Sequence, residues 1–138
     1  MSESEAGTIA RAFLQVWSAG HLDLLDRMAH PDLVARYAHF PEPVRGRGAY
    51  RAMLEETFSS FPDLRTTADR VLVDGDEAAV AWHYEGTHQH GELFGVEPAG
   101  RRVRVDGMSM YRVADGRVVE ERGVADIAGL MMQLGALP

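Results

Sequence analysis

The sequence predicts an α+β fold, with helices packed on one face of a curved antiparallel sheet, and three observations carry that prediction. Apolar residues recur at steps of three and four up to Phe61, the period changes to two from Leu64, and a helical pattern returns after Asp126.

Ser2 with Glu5 fits a capping box at the head of a first helix. Ile9, Phe13, Val16 and Trp17 form one apolar stripe along it, and Gly20 ends it. Leu22, Leu25 and Met28 predict a second, short helix that Pro31 stops, and DLVARYAHF (32–40) predicts the first strand. Tyr37 and His39 share one face of that strand and Arg36 the other, with the inward side left open. Gly46 and Gly48 precede a third helix, where Tyr50, Met53, Leu54, Phe58 and Phe61 line up before the breaker Pro62.

Four strands follow: LRTTADRVLV, EAAVAWHYEGTHQ, RRVRVDGMSMYRV and RVVEERGVA. Asp74-Gly75-Asp76 joins the first pair and Ala114-Asp115-Gly116 the last, both hairpin signals. HGELFGVEPAG is the longer loop between the pairs. After the last strand, Ile127, Leu130, Met131 and Leu134 return to helical spacing; Asp126 before them is either a catalytic acid or, more simply, the N-cap.

Composition narrows the function classes. The 138 residues make one domain, 1–138, large enough to bury a core without cross-links. A net charge of −7 argues against nucleic acid or an anionic membrane as partner. No apolar run approaches the roughly 18 residues of a membrane span, and the acidic start MSESEAGTIA lacks the layout of a signal peptide. A cytoplasmic location is the resulting expectation. The absence of Cys excludes disulfides and thiolate chemistry. All 14 basic residues are Arg, a bias that GC-rich codon usage explains better than a binding role.

Alternation assigns the faces. Val80, Trp82, Tyr84, Gly86 and His88 share one side of their strand, as do Val103, Val105, Gly107, Ser109, Tyr111 and Val113 of the next. Two glycines, a serine and a histidine interrupt this bulky wall, which places a ligand cavity between the sheet and the helices. Arg104, Asp106, Met108, Met110 and Arg112 point the other way, a composition suited to a half-exposed sheet or, the favoured reading, a homodimer interface.

GTHQHGELFGVEPAGRRV, then YRVADGRVVEE, then Ala125-Asp126 and QLG resemble, in order and spacing, the SnoaL-like polyketide cyclases. These belong to the superfamily of ketosteroid isomerase, nuclear transport factor two and limonene epoxide hydrolase. The likeness runs from HPDLV (30–34) to QLG (133–135). It implies a cone-shaped α+β barrel with an apolar pocket, usually oligomeric, and cofactor-independent acid–base chemistry on a hydrophobic polyketide-type molecule. The family's catalytic aspartate falls on Gly123, and its pocket glutamine and histidine fall on Gly107 and Ser109. All three polar groups of the aldol-type cyclisation are therefore absent here, so the fold carries over without that mechanism.

Glu121 lies one rung back from Gly123 on the same face. A carboxyl in an apolar pocket has a raised pKa and can move protons near neutral pH. His88, facing inward, is the second catalytic candidate. Trp82, Tyr84, Ser109, Tyr111 and Tyr37 are the candidates for substrate binding. His88, His90 and Glu92 alternate in the manner of a two-histidine, one-carboxylate metal site, but Gly91 invites a turn among them. Two functions remain open at this stage: an acid–base enzyme performing cyclisation, isomerisation, dehydration or epoxide opening, and a non-catalytic binding or chaperone-like protein that retains the pocket.

Overall fold

The structure, a computed structural model, describes residues 3–137, so the capping role expected of Ser2 lies outside the described residues. Helix α1, Glu3–Phe13, tightens into a 3-10 turn at Leu14–Trp17. The short α2, Leu24–Met28, leads into strand β1, Ala29–Tyr37. β1 starts before Asp32 and runs through Pro31. Its register against its neighbour breaks between Ala29 and Val34, the kind of irregularity that tolerates a residue with no N–H to donate. Strand β2, Val44–Arg45, is too short for any periodicity to announce. Helix α3, Arg47–Ser60, has Gly46 as its N-cap at φ +89, while Gly48 lies inside its first turn.

Strands β3, Arg65–Asp74, β4, Glu77–Thr87, β5, Arg102–Ala114, and β6, Arg117–Ala125, form the expected meander. The sheet order is β2-β1-β6-β5-β4-β3. One expectation is corrected here: β1 runs parallel to β6, so the sheet is mixed rather than wholly antiparallel. A parallel neighbour needs a long crossover, here α3 and four strands, and local pattern cannot reveal it. The sheet is also open, with β2 and β3 at its edges. Register breaks at Ala68/Arg70 and Arg112/Val113 mark bulges that bend their strands.

The concave face buries what alternation assigned to it. Val80, Val103, Val105 and Tyr111 are all but inaccessible, whereas Met108, Met110 and Val124 on the convex face are more than half exposed. Phe13, Leu14 and Val16 from the N-terminal helical segment, Leu25 from α2 and Leu54 from α3 complete the main core. A second cluster joins Phe61, Leu64, Val103 and Val105 to Leu130 and Leu134 of α4, Ile127–Leu134. α4 closes the sheet where β6 ends. There the Gln133 amide both accepts from the Arg104 N–H at 2.8 Å and donates to its carbonyl at 2.8 Å. A side-chain amide thus replaces the missing strand partner of β5. Among the described residues no helix is long and apolar enough to cross a membrane.

Candidate active site

A cavity of about 350 Å³ lies between the concave face and the helices, within the range of small-molecule sites. Its wall is mostly apolar, with Leu14, Met53, Phe61, Trp82, Tyr84 and Leu130 among the lining residues. Glu121 is set into this wall from β6, opposite Tyr111 on β5 and Ala35 on β1. Only 3% of it is exposed.

Among the described residues, the carboxyl of Glu121 is held by neutral hydroxyls alone. Oε1 accepts from Tyr50 Oη at 2.6 Å and from Tyr37 Oη at 2.9 Å; Oε2 accepts from Ser109 Oγ at 3.2 Å. Behind them, Trp17 Nε1 donates to Tyr50 Oη at 2.9 Å and Trp82 Nε1 to Ser109 Oγ at 3.0 Å. Burial disfavours the charged carboxylate and pushes the Glu121 pKa up, while the bonds from Tyr50, Tyr37 and Ser109 oppose the shift without cancelling it.

Its neighbour is the control. Glu120, on the outer face of the same strand, meets Arg112 at 2.7 Å, and that partner holds its carboxyl below the usual range. Strand alternation alone gives adjacent glutamates opposite chemistry. The surrounding phenols remain protonated: burial raises Tyr37, Tyr50 and Tyr111 well above the ordinary value, and Tyr84 to about 12. Tyr111 lines the cavity, and among the described residues its buried hydroxyl makes no hydrogen bond.

The glycines of the inner face do not leave the voids that the sequence suggested. A Cβ on Gly123 would sit 3.0 Å from Tyr37 Cδ1 and 3.1 Å from Ser109 Oγ. The place where the resemblance puts an aspartate is thus filled by the ring of Tyr37, whose hydroxyl reaches Glu121 instead. A Cβ on Gly107 would collide with Trp82 Cη2 and lie 2.6 Å from the Val124 carbonyl oxygen, because the indole lies across that glycine. The turn from Phe61 to Leu64 covers Gly86.

Tyr37, Trp82, Tyr84, Ser109, Tyr111 and Glu121 all line the one cavity. His88 does not join them. Strand β4 ends at Thr87, and the buried His88 packs on Phe61 with Nε2 against the Gly91 carbonyl. The structure therefore does not bring His88 to Glu121. β4 stops before His88, and Gly91, at φ +76, turns the chain between His90 and Glu92, so the three do not alternate along one strand. No group of three or more metal-binding side chains converges among the described residues.

Sequence reasoning missed Tyr50 and Trp17, which looked like ordinary members of helical stripes. The available signal was chemical, since a buried Tyr or Trp needs a partner for its polar tip. It also left the orientation of β1 open; the structure places both Tyr37 and His39 on the cavity wall. Burial lowers the pKa of His39.

Asp126 lies outside the lining and accepts from the Gly129 N–H at 2.9 Å, as an N-cap does. Asp126→Ala is expected to cost about 1 kcal/mol in urea unfolding. Asp126→Asn, which keeps the acceptor, should cost a few tenths at most. Loss of turnover in the Asn variant at unchanged stability would assign Asp126 to the chemistry instead.

The chain is thus an α+β protein with a mostly apolar cavity between its helices and a curved sheet, and one buried acid in the cavity wall. The family model described as SnoaL-like polyketide cyclase matches residues 7–134, and the chain belongs to that family. Similar solved structures carry several chemistries in their names. AclR from Streptomyces galilaeus, a candidate hydroxylase, superposes with a TM-score of 0.85 at 28% identity, covering 99% of this chain and 85% of its own. IdmH from Streptomyces antibioticus, a candidate polyketide cyclase, gives a TM-score of 0.82 at 29% identity, covering 94% and 98%. An LEH-like epoxide hydrolase of M. tuberculosis shares the fold, with a TM-score of 0.75 at 20% identity and coverage of 96% and 90%. No curated protein matches the sequence.

Proposed function

We propose that the protein is a cofactor-independent acid–base enzyme acting on a hydrophobic, polyketide-type small molecule, with Glu121 as the proton-transferring group. The observation that carries this reading is the buried Glu121 carboxyl on the cavity wall, held among the described residues by hydroxyls and no cation. As a carboxylate it takes a proton from carbon beside a substrate carbonyl; as the neutral acid it returns that proton elsewhere on the molecule. Oε1 already accepts two tyrosyl hydrogens, so Oε2, with one partner, is the oxygen that works.

Trp82 and Tyr84, stacked with an interplanar angle of 12°, supply a flat wall for a ring. No arginine is among the described lining residues, and Glu56 and Glu121 are both acidic, so the substrate carries no carboxylate or phosphate into the cavity. Cyclisation, isomerisation, dehydration and epoxide opening all use such proton transfers. His88 holds a loop rather than a proton in this reading. The exposed Met108, Met110 and Val124 face is the surface through which two copies would pair.

Deleting the gene and comparing metabolites by mass spectrometry tests the assignment. Accumulation of a compound isobaric with the lost product is expected for a cyclase or isomerase, and a difference of one water for a hydrolase or dehydratase. A difference of one oxygen would refute acid–base chemistry without redox. A fall in yield with no new compound would replace the enzyme with a binding protein.

A further inference from the structure

The loop between β4 and β5 ends in a tight hairpin with an unusual residue at its tip. Leu93 and Val96 exchange both backbone hydrogen bonds, at 3.0 and 2.9 Å. Between them Phe94 has φ +51 and Gly95 φ +79, the signature of a type I′ turn, which favours Asn-Gly or Asp-Gly. The chain contains that favoured version elsewhere: the β5–β6 hairpin turns on Asp115 at φ +54 and Gly116 at φ +75. An aromatic residue in the left-handed region is disfavoured. Phe94 is also 47% exposed, so core burial does not explain it. It does line the cavity, beside Leu93.

The base of the loop is held firmly. The His88 N–H donates to the Arg101 carbonyl at 3.0 Å, and the Gly100 N–H to the His88 carbonyl at 3.1 Å. Gln89 N–H donates to the Ser60 carbonyl at 3.0 Å, and the His88 ring meets the Gly91 carbonyl. A pinned base and a strained aromatic tip at the cavity point to one purpose.

We propose that Phe94 is a specificity-determining lid: its ring covers the cavity mouth and sets how long an apolar ligand stays. Strain at a residue that does not stabilise the fold is retained where a bound ligand needs the side chain. The proposal rests on the cavity being a ligand site, but not on Glu121 being its catalyst.

The test uses the neutral dye Nile red and the full chain. Both tryptophans of the chain, Trp17 and Trp82, line the cavity, so quenching of their emission reports dye inside it. Phe94→Asn places the turn's preferred residue at the tip. It should leave the melting temperature unchanged or higher, while the dye dissociates about tenfold faster and its association rate changes little. Phe94→Leu, still apolar, should fall between the two. Equal dissociation from wild type and Phe94→Asn would overturn the lid while leaving the cavity reading intact. A markedly lowered melting temperature in Phe94→Asn would make the ring structural and overturn the lid as well. If wild type binds no dye with tryptophan quenching, the cavity reading fails and the lid fails with it.

Discussion

Glu121→Gln is expected to lower turnover by about 10²–10⁴-fold, the usual weight of a positioned acid or base, with little change in KM. The compound that accumulates in the deletion strain is the substrate for this measurement. The amide keeps the volume of the side chain, and its oxygen still accepts from Tyr37 and Tyr50, so the cavity retains its shape. What is lost is the ability to take and return a proton. Unchanged turnover would remove Glu121 from the chemistry and leave it a structural acid.

The same substitution has a pH signature. The folded Glu121 carboxyl keeps its proton above the ordinary value of 4.5, so the native state binds more protons than the unfolded chain between the two values. Its contribution to stability is full below about pH 4.5 and is lost as pH rises through the raised folded value. Glu121→Gln lacks that loss. The stability difference, variant minus wild type, should therefore grow with pH across this window and then level off. Glu120 and Asp63, whose carboxyls are held below the usual range, act in the opposite direction, but they are common to both proteins and cancel in the difference. Urea unfolding from pH 4 to 8 checks it, and a flat difference would mean that burial does not hold the proton on Glu121.

Gly107→Ala is expected to destabilise the protein by about 1–3 kcal/mol, the cost of overpacking. The added Cβ meets two obstacles. The tip of Trp82 can swing aside, but the Val124 carbonyl belongs to the backbone of β6 and cannot move without disturbing the sheet. Moving the indole breaks its bond to Ser109, which in turn holds Glu121. A lower urea midpoint with a shifted tryptophan emission is the expected pair of results. Combining it with Trp82→Ala should recover only the part of the cost that comes from the indole. A stable Gly107→Ala with unchanged emission would show that Trp82 does not lie across this strand.

Much of this was legible because strand geometry is periodic. A period of two put Val80, Trp82, Tyr84, Ser109, Tyr111 and Glu121 on one face and Met108 and Met110 on the other, and burial follows that assignment. Asp126 was legible as a cap because N-capping is local, set within one turn of helix. His88 shows where the periodicity runs out. Its ring is buried against Phe61, as Gly86 is, so parity gave its side, but β4 stops one residue earlier and periodicity does not say which group the ring meets.

The sequence by itself determined the order of the elements, the inward face of the meander and the presence of a carboxyl on that face. These depend on interactions between near neighbours in the chain. Only the tertiary structure decided what that carboxyl touches. Tyr37 comes from β1, which joins β6 in parallel across most of the chain; Tyr50 comes from α3 and Trp17 from the turn after α1. The same long-range packing lays Tyr37 over Gly123 and Trp82 over Gly107. Periodicity fixes which way a side chain points, but which distant element arrives to meet it depends on how the layers pack.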